Sequence, residues 1–435
     1  NNEHLMAKKI AFKTLGCRVN LYETDAIASQ FKSAGYDVVD NADGADIYVV
    51  NTCTVTNQSD QKCRQAINQI RRAHPDAVIA AVGCMVNHRK QEMLASGTID
   101  LAIDNERKYA LFSIIDSYIK GEPTDPEGLD KDLFSYSPAY DTFHTRSLIK
   151  IHDGCNNFCS YCIIPMVRGR ATSRPADEIY DNIRSVTAHG FKEVVLTGVN
   201  MGRYHDGNTD FETLIENIIK IEGDYRVRIS SIEPDNFTEH FISLFQNPRL
   251  APHMHICLQS GAEKTLKDMH RHYTAQQFKE ICARIREAVP DFNITTDVIV
   301  GFPGETDEDF AESAQLCREI GFSHIHTFKY SVRTGTKAAA MPNQVKEEIK
   351  AERSAVIREI SAENKLKYFK QMLGKPQKML VERILKDGTA CGYGENYIPI
   401  RLKDNRLQKN TFADVILKDI YFKGDNSEIF AEIIS

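Results

Sequence analysis

The first 120 residues alternate between short apolar runs and polar stretches with helical periodicity. The apolar runs have the length of strands and lie at residues 8–16, 46–51, 77–82 and 99–103. The helical stretches between them are predicted at residues 22–34 and 57–73. Strands that alternate with helices in this way predict a doubly wound parallel sheet, and hence an α/β fold for this part of the chain.

A second series of strands and helices begins after residues 121–140, which are rich in Gly, Pro and Asp and are predicted to be a linker. Strands are predicted at residues 148–152, 194–199, 227–232, 254–259, 294–300 and 325–330. Six βα units are too few for a full eight-unit barrel. They predict an open, partial barrel, a TIM-like (β/α)6 arrangement.

The pattern changes again near the end of the chain. A long charged helix is predicted at residues 344–373. Short strands follow it at residues 378–381, 390–393, 397–402, 412–418 and 429–433. Short strands with Gly and Asn turns predict a small antiparallel β-barrel. The predicted division is residues 1–120, linker 121–140, residues 141–372 and residues 373–435.

Composition narrows the functional classes. The chain has 435 residues, of which 42% are hydrophobic and 26% charged, as in ordinary globular proteins. No apolar run approaches the roughly 20 residues of a membrane span, and no secretory signal is recognisable, so we expect a cytoplasmic protein without a membrane partner. A net charge of −6 argues against a broadly basic nucleic-acid coat, although a local basic patch stays possible. Eleven cysteines without disulfide-like spacing favour metal or redox chemistry.

Three cysteines with C-x-x-x-C-x-x-C spacing, Cys155, Cys159 and Cys162, directly follow the first strand of the central region. Three thiolates can hold three irons of a cuboidal cluster and leave the fourth iron open to a chelating ligand. A ferredoxin normally closes all four positions. The alternatives are buried cysteines or a zinc knuckle, but structural zinc needs four ligands and His152 is badly placed to supply one. The spacing therefore favours an iron–sulfur cluster.

Three further cysteines follow successive strands of the N-terminal sheet. Cys17 follows the first strand, Cys53 the second and Cys84 the third. Ligands of open α/β sheets bind outside the carboxyl ends of the strands, so these cysteines could converge on a second cluster site. The alternative is that each is a small buried hydrophobic residue. Cys63 lies within a predicted helix and is expected to pack.

The C-x-x-x-C-x-x-C segment resembles the cluster motif of radical S-adenosylmethionine (SAM) enzymes. The resemblance implies that SAM chelates the open iron and that the reduced cluster cleaves SAM to a 5′-deoxyadenosyl radical. Residues 14–20, 51–55 and 83–84 resemble the three signatures of the methylthiotransferase N-terminal domain. This implies that Cys17, Cys53 and Cys84 ligate an auxiliary cluster that holds the transferred sulfur. The expected cofactors are thus two 4Fe-4S clusters and SAM.

The candidate SAM contacts lie at the predicted carboxyl ends of the central strands, where barrel enzymes place their active sites. They are Thr197, Gly198, Asn200, Ser231, Glu233, Gln259 and Gly301. The resemblance implies that Thr197 to Asn200 bond the SAM amino group and that the loop at Gly301 packs beside the adenine. Ser231 and Glu233 could bond ribose hydroxyls or the amino acid part of SAM. Taken singly, a glycine-containing turn is most often only a turn.

Two side chains near the cysteine triplet are further candidates. Tyr161 either shields the cluster from water or simply packs. Arg168 could bond the SAM carboxylate or a substrate phosphate bidentately, or belong to a solvated basic loop. Four histidines have no carboxylate-linked spacing and are expected to be structural or exposed; they are His253, His255, His270 and His272.

Residues 381–382, 392–393 and 396–397 resemble the TRAM domain, an RNA-binding module. Tyr393 and Tyr397 could stack on bases or pack in the core. Over its whole length the chain resembles the radical SAM methylthiotransferase family. Residues 14–17, 150–151, 154–159 and 163–165 look most like the branch that acts on threonylcarbamoyladenosine beside the tRNA anticodon.

Several alternatives stay open at this point. The branches acting on isopentenyladenosine or on a ribosomal-protein aspartate would share both cysteine sites. A protein of another class, a non-enzymatic iron–sulfur redox sensor that binds RNA, would need the clusters but not the SAM-facing loops. The expected partners are tRNA, an electron donor and a sulfur donor, and the sequence identifies neither donor.

Overall fold

The computed structural model describes residues 8–40, 44–140, 142, 144–235, 237–423 and 426–434. Its N-terminal elements are β1 (Lys9–Thr14), α1 (Arg18–Ser33), β2 (Asp37–Val39), β3 (Ile47–Thr52), α2 (Asn57–Ala73), β4 (Val78–Gly83), α3 (Cys84–Ala95), β5 (Leu101–Ile103) and α4 (Leu111–Ile119). The five strands pair in parallel in the order β2-β1-β3-β4-β5. The predicted parallel sheet is confirmed, although β2, α3 and α4 are absent from the prediction.

Helices cover both faces of this sheet, as a doubly wound fold requires. Successive residues of a strand point to opposite faces. Ile10 of β1 packs with Phe31 of α1 and Ile114 of α4 on one face. Ala11 packs with Ile67 of α2 on the other face. Because the sheet is parallel, β1, β3 and β4 bring their carboxyl ends, and the cysteines that follow them, to one edge.

The central region contains all six predicted strands. Its elements are β6 (Ser147–Asp153), α5 (Ile164–Val167), β7 (Thr172–Ser173), α6 (Ala176–Ala188), β8 (Glu193–Gly198), β9 (His205–Asp206), β10 (Thr209–Asp210), α7 (Phe211–Ile219), β11 (Arg226–Ile229), β12 (Ser231–Ile232), α8 (Glu239–Leu244), β13 (His253–Ile256), α9 (Glu263–Asp268), α10 (Ala275–Ala288), β14 (Asn293–Val300), α11 (Asp307–Ile320), β15 (His324–Lys329) and α12 (Glu347–Met372). The third predicted strand is divided at Ser230 into β11 and β12.

These strands form two four-stranded sheets. The first has the order β11-β8-β6-β7, in which only the short β7 runs antiparallel, and the second has the parallel order β12-β13-β14-β15. Apolar residues of alternate positions, such as Ile149 and Ile256, pack against the helices. The other alternate positions are mostly polar and include Lys150, Arg228 and His255. We call the surface formed by these polar positions the inner face.

The C-terminal strands close into a five-stranded barrel. They are β16 (Pro376–Ile384), β17 (Thr389–Tyr393), β18 (Pro399–Lys403), β19 (Phe412–Lys423) and β20 (Asn426–Ile433), in the order β16-β17-β18-β20-β19. The prediction of an antiparallel barrel is wrong at one seam, because β18 and β20 run parallel. A closed ring with an odd number of strands cannot alternate direction all the way round, so at least one neighbouring pair must be parallel.

The C-terminal barrel packs against the amino-terminal ends of the central strands. Arg226 of β11 donates to the Lys378 carbonyl at 2.7 Å, and Asn293 of β14 donates to the Asn396 carbonyl at 2.8 Å. Glu193 neutralises the buried arginines of β11 at this contact. Within the described ranges, no helix combines the length and the apolar character needed to cross a membrane.

Tyr393 and Tyr397 belong to this packing contact. Their rings stack with centroids 4.6 Å apart, and the Arg146 guanidinium lies 5.2 Å from both centroids. His253 covers Tyr397 from another side, with a centroid separation of 4.8 Å. Of the two roles expected from the sequence, packing is therefore the one that their surroundings favour.

Candidate active site

The structure brings Cys17, Cys53 and Cys84 together at the carboxyl edge of the N-terminal sheet. Cys17 precedes α1, Cys53 follows β3, and Cys84 begins α3. Burial raises the pKa of the Cys53 thiol, and the proximity of Cys84 and Cys17 raises it further. A bound cation would stabilise the thiolate of Cys53 against both effects. The donor set therefore fits a three-thiolate metal centre.

Two glycines allow the cysteine loops to approach each other. Gly16 has φ +106°, and a Cβ at this position would lie 2.7 Å from the Cys53 Cβ. Gly83 has φ +100°, and a Cβ there would lie 2.7 Å from the Thr52 carbonyl oxygen. Both conformations are left-handed and both contacts are too short for a side chain, so only glycine is accommodated.

Three asparagines hold the loops of this site. Asn20 donates to the Thr52 carbonyl at 3.0 Å, and Asn51 donates to the Asn20 carbonyl at 3.0 Å. Asn105, which sequence reasoning missed, donates to the Cys84 sulfur at 3.5 Å. Outer hydrogen bonds of this kind orient metal ligands and tune their basicity.

Cys63 is buried beneath the same site and packs there. The Cys53 N–H donates to the Cys63 sulfur at 3.4 Å, and the Cys63 thiol donates back to the Cys53 carbonyl at 3.3 Å. Burial raises the pKa of Cys63 to about 11. A thiol that is engaged with backbone on both sides supports the fold of the loop, in keeping with the packing role expected for it.

A cavity of about 1100 Å³ opens beside Cys17 and Cys53. Its opposite wall is formed by the end of β15, including Phe328 and Tyr330. The cavity thus lies between the N-terminal sheet and the edge strand of the central sheets. It gives the first cysteine site access to solvent.

Cys155, Cys159 and Cys162 converge in the loop that follows β6. Burial raises the pKa of Cys162 to about 12, and Cys159 and Cys155 contribute to the rise in that order. Gly154 has φ +67°, and a Cβ there would lie 2.0 Å from the Arg170 carbonyl oxygen. The tight turn that presents the triplet therefore depends on glycine.

Hydrogen-bond donors surround the sulfurs of this triplet. Cys155 accepts from the Asn157 N–H at 3.4 Å and from Asn200 Nδ2 at 3.6 Å. Cys159 accepts from Arg271 Nη1 at 3.1 Å. Donors directed at sulfur favour the thiolate form, as iron ligation requires. The sequence gives no signal for Arg271, which lies 112 residues beyond Cys159.

The candidate SAM residues lie at the carboxyl ends of the central strands, although their local environments differ. Thr197 and Asn200 are buried at the end of β8 beside the triplet. Ser231 begins β12, and Glu233, just beyond β12, forms an ion pair with Arg271. Gln259 has φ +67°.

Close packing accounts for two of the glycines in this set. A Cβ at Gly198 would lie 2.8 Å from the Met201 Cγ and 3.0 Å from the His152 carbonyl oxygen. A Cβ at Gly301 would lie 2.3 Å from the Lys350 Cγ in α12. These glycines are explained by the fold alone, so neither adds an argument for SAM.

Arg168 occupies a different place from the one expected. It is buried, and its guanidinium bonds Asp153 at 2.9 Å, Glu23 at 3.4 Å and Asn20 at 2.7 Å. Lys150 also pairs with Glu23, at 2.9 Å. These contacts join α1 to the cysteine loop and use the guanidinium fully. We therefore assign Arg168 to the contact between the two regions and not to SAM.

Tyr161 packs beside the triplet with Met269, Phe302 and Tyr330. Its ring meets Phe302 edge to face, with centroids 6.5 Å apart. Burial raises its pKa well above the usual range, so the hydroxyl stays neutral. This apolar cluster limits the access of water to one side of the cysteine loop.

The inner face carries a histidine–carboxylate pair that sequence reasoning missed. His255 Nε2 lies 3.1 Å from Asp297 Oδ1, and His255 Nδ1 lies 3.0 Å from the Thr295 hydroxyl. The His326 ring is 5.4 Å from the His255 ring. His255 is buried and not exposed. Its carboxylate partner comes from the neighbouring strand and therefore leaves no local spacing signal.

Two family models match separate parts of the chain. Residues 149–317 match the Radical SAM superfamily, and residues 9–104 match the Uncharacterized protein family UPF0004. Among solved structures, the radical S-adenosylmethionine methyltransferase TsrM from Kitasatospora setae covers 77% of this chain and 74% of its own, with a TM-score of 0.56. At 14% identity this similarity concerns the fold alone.

Curated relatives are similar over nearly the whole chain. The threonylcarbamoyladenosine tRNA methylthiotransferase MtaB of Bacillus subtilis is 38% identical over 408 residues, which cover 91% of this chain and 90% of the relative. The tRNA-2-methylthio-N(6)-dimethylallyladenosine synthase of Pelotomaculum thermopropionicum is 33% identical over a region that covers 89% of this chain and 90% of the relative. With matches of this extent and two cysteine sites in place, the chain belongs to the radical SAM methylthiotransferase family.

Proposed function

We propose that this protein transfers a methylthio group to C2 of threonylcarbamoyladenosine beside the anticodon of tRNA. The observation that carries the proposal is the presence of two separate three-cysteine sites in a chain 38% identical to a relative named for this activity. One site would serve radical formation and the other would hold sulfur. Such chemistry asks the protein to hold cofactor and substrate in register and to exclude competitors.

The triplet Cys155, Cys159 and Cys162 would hold the 4Fe-4S cluster that binds SAM. When bound, the two would supply the 5′-deoxyadenosyl radical. The chain's own contribution is to fix the thiolates, through the donors from Asn200 and Arg271. Thr197, Ser231, Glu233 and Gln259 would bind SAM from the ends of the neighbouring strands.

The cysteines Cys17, Cys53 and Cys84 would hold a second 4Fe-4S cluster. Its three-thiolate ligation would leave one iron open for the sulfur that is transferred. The close glycine turns and the donor from Asn105 support this assignment. Full occupancy of both sites corresponds to about eight irons per chain.

Arg18 favours threonylcarbamoyladenosine over isopentenyladenosine. It follows Cys17, and its guanidinium makes no hydrogen bond or ion pair with another residue in the described part of the chain. Burial lowers the pKa of His326 and of His253, and the positive charge of Arg18 lowers both further, so Arg18 lies beside the inner face. A threonylcarbamoyl group carries a carboxylate, which arginine binds well, whereas an isopentenyl group is apolar.

Replacing Arg18 tests this preference. Loss of a hydrogen bond to a charged group costs about 1.5–3 kcal/mol, so Arg18→Gln should lower kcat/KM for threonylcarbamoyl-tRNA by about 10- to 100-fold. Arg18→Lys should retain more activity than Arg18→Gln. Iron content must stay unchanged in both variants, since Arg18 adjoins Cys17. Equal kcat/KM values for wild type and Arg18→Gln would refute the role of this arginine.

We further infer an open, partial (β/α)6 barrel from the two central sheets and a TRAM-like RNA-binding module from the C-terminal barrel. The domain boundaries would be 1–120, a linker at 121–140, 141–372 and 373–435. Because Tyr393 and Tyr397 are engaged in packing, RNA would meet other exposed aromatic side chains of the barrel, of which Phe422 is 64% exposed and Phe430 is 38% exposed. A cytoplasmic location follows from a tRNA substrate.

Mass spectrometry of tRNA nucleosides from a deletion strain tests the function. We expect the methylthio derivative of threonylcarbamoyladenosine to disappear and to return with the wild-type gene but not with Cys155→Ala. An unchanged nucleoside profile would exclude the tRNA activity. A SAM titration followed by the cluster spectrum separates the enzyme from an RNA-binding redox sensor, because a sensor predicts no spectral change.

A further inference from the structure

Arg271 links three groups beside the cysteine triplet. It lies in the loop between α9 and α10, and only 2% of its side chain is exposed. Its Nη1 donates to the Cys159 sulfur at 3.1 Å, and its Nη2 forms an ion pair with the Glu233 carboxylate. Its Nε donates to the Tyr273 hydroxyl at 3.0 Å. All three nitrogens of the guanidinium are therefore engaged in hydrogen bonds or an ion pair.

The surrounding structure fixes the orientation of this guanidinium. The Tyr273 hydroxyl donates to the Leu258 carbonyl at 2.6 Å, which ties it to the strand end after β13. The guanidinium also lies 5.0 Å from the Tyr273 ring centroid. A planar guanidinium held at its edge and its face loses little further entropy when it bonds sulfur. The fold itself therefore holds Arg271 in contact with Cys159.

A buried cation bonded to a cysteine sulfur affects a cluster in a predictable direction. Reduction adds an electron, so a positive charge and an N–H···S hydrogen bond stabilise the reduced form more than the oxidised form. The effect is large where water is excluded. Glu233 works against it, because its carboxylate offsets the Arg271 charge and competes for its donors.

We propose that Arg271 is a positioning residue that raises the reduction potential of the cluster held by Cys155, Cys159 and Cys162, and that Glu233 limits this effect. Arg271 thereby sets the fraction of clusters that a given electron donor can reduce. The proposal concerns the radical-forming site alone and holds for any substrate. Failure of the tRNA activity would leave it intact.

A redox titration of the reconstituted full-length protein without SAM, monitored by electron paramagnetic resonance, tests this role. Arg271→Met should shift the midpoint of the triplet cluster to a more negative value by at least about 59 mV, which is tenfold in the ratio of reduced to oxidised cluster. Arg271→Lys, which keeps the charge, should shift it less. Glu233→Gln should shift it to a more positive value.

Arg170→Met is the matched control. Arg170 belongs to the same region and lies 4.5 Å from the Phe158 ring centroid, but it is exposed and makes no bond to a cysteine within the described residues. Its replacement removes an equal charge and should change the midpoint much less. A triple variant with Ala at Cys17, Cys53 and Cys84 assigns the signal to the triplet.

The outcome is decisive in each case. A midpoint in Arg271→Met that moves no further than in Arg170→Met overturns the proposal. If Arg271→Met holds no iron at the triplet, the midpoint potentials of Arg271→Lys and Glu233→Gln test the proposal instead. Shifts in the stated directions support the proposal, and unchanged midpoints in both variants overturn it.

Discussion

Glu23 is the centre of a buried charge network that joins the N-terminal sheet to the central region. Its carboxylate is fully buried and pairs with Lys108 at 2.6 Å, Lys150 at 2.9 Å and Arg168 at 3.4 Å. Asp153 forms ion pairs with Lys150 and Arg168 but not with Lys108. Glu23→Gln keeps the shape of the side chain and removes its charge, which leaves Lys108 buried without a carboxylate partner.

The expected loss is large. Removing one partner of a buried ion pair costs about 3–5 kcal/mol, because the remaining charge stays desolvated. The midpoint of thermal unfolding moves by roughly 2–4 °C per kcal/mol in domains of about 150–250 residues, so it should fall by on the order of 10 °C. Unfolding of the reconstituted protein, followed by far-ultraviolet circular dichroism, measures this change.

The pH dependence provides a second test. Burial alone would raise the Glu23 pKa, but Lys108, Lys150 and Arg168 outweigh it and hold this pKa well below its usual range. The stabilisation is therefore present above the unfolded value of about 4.3 and is lost as pH falls through the folded pKa. The difference between wild type and Glu23→Gln should shrink in acid.

Alkaline conditions should also reduce the difference. Burial lowers the pKa of Lys108, and loss of Glu23 removes the main charge that opposes this. The unpaired ammonium can then lose its proton as pH rises, which relieves the penalty. Glu216→Gln is the matched control, because its ion pair with Lys220 lies at the surface and should not affect the midpoint. Equal midpoints for Glu23→Gln and Glu216→Gln at pH 7 would refute the network's role.

Three further predictions concern the cysteine sites and the C-terminal barrel. Gly16→Ala should lower iron from about eight to about four per chain, because its Cβ would meet Cys53; eight irons in an iron and sulfide assay would refute the need for glycine at this position. Cys63→Ala should keep all the iron in the same assay, since its sulfur is hydrogen-bonded to the Cys53 backbone, and a loss of four irons would make Cys63 a ligand. Tyr397→Ala should lower the thermal midpoint, because its ring stacks on Tyr393. Phe422→Ala should weaken tRNA binding in a filter assay without changing the midpoint, because this side chain is exposed. Weaker tRNA binding in Tyr397→Ala and a lower midpoint in Phe422→Ala would refute this assignment.

Local patterns in the sequence predict most of the architecture. Each of the six central strands is predicted from a short segment of strand length, and the division of the third at Ser230 shifts no other element. Cys17, Cys53 and Cys84 follow the neighbouring parallel strands β1, β3 and β4, so their meeting at one edge follows from sheet geometry. Gly16 is included in the first predicted strand, but it has φ +106° and lies in the turn after β1.

Contacts between distant segments are the part that sequence reasoning misses. Arg271 meets Cys159 across 112 residues, and the His255 partner Asp297 comes from the next strand. Arg168 looks like a phosphate-binding arginine in sequence, yet α1 supplies the buried Glu23 that binds it. No local period encodes such pairs, because they depend on how the sheets are packed together.

The central claim is that one chain uses two cysteine sites for two different tasks. The direct test is a reaction of reconstituted protein with SAM, a reductant and tRNA that carries threonylcarbamoyladenosine, analysed by mass spectrometry. Wild type should form both 5′-deoxyadenosine and the methylthio nucleoside. Cys84→Ala should still form 5′-deoxyadenosine but no methylthio nucleoside, whereas Cys159→Ala should form neither. Methylthio product from Cys84→Ala would contradict the account.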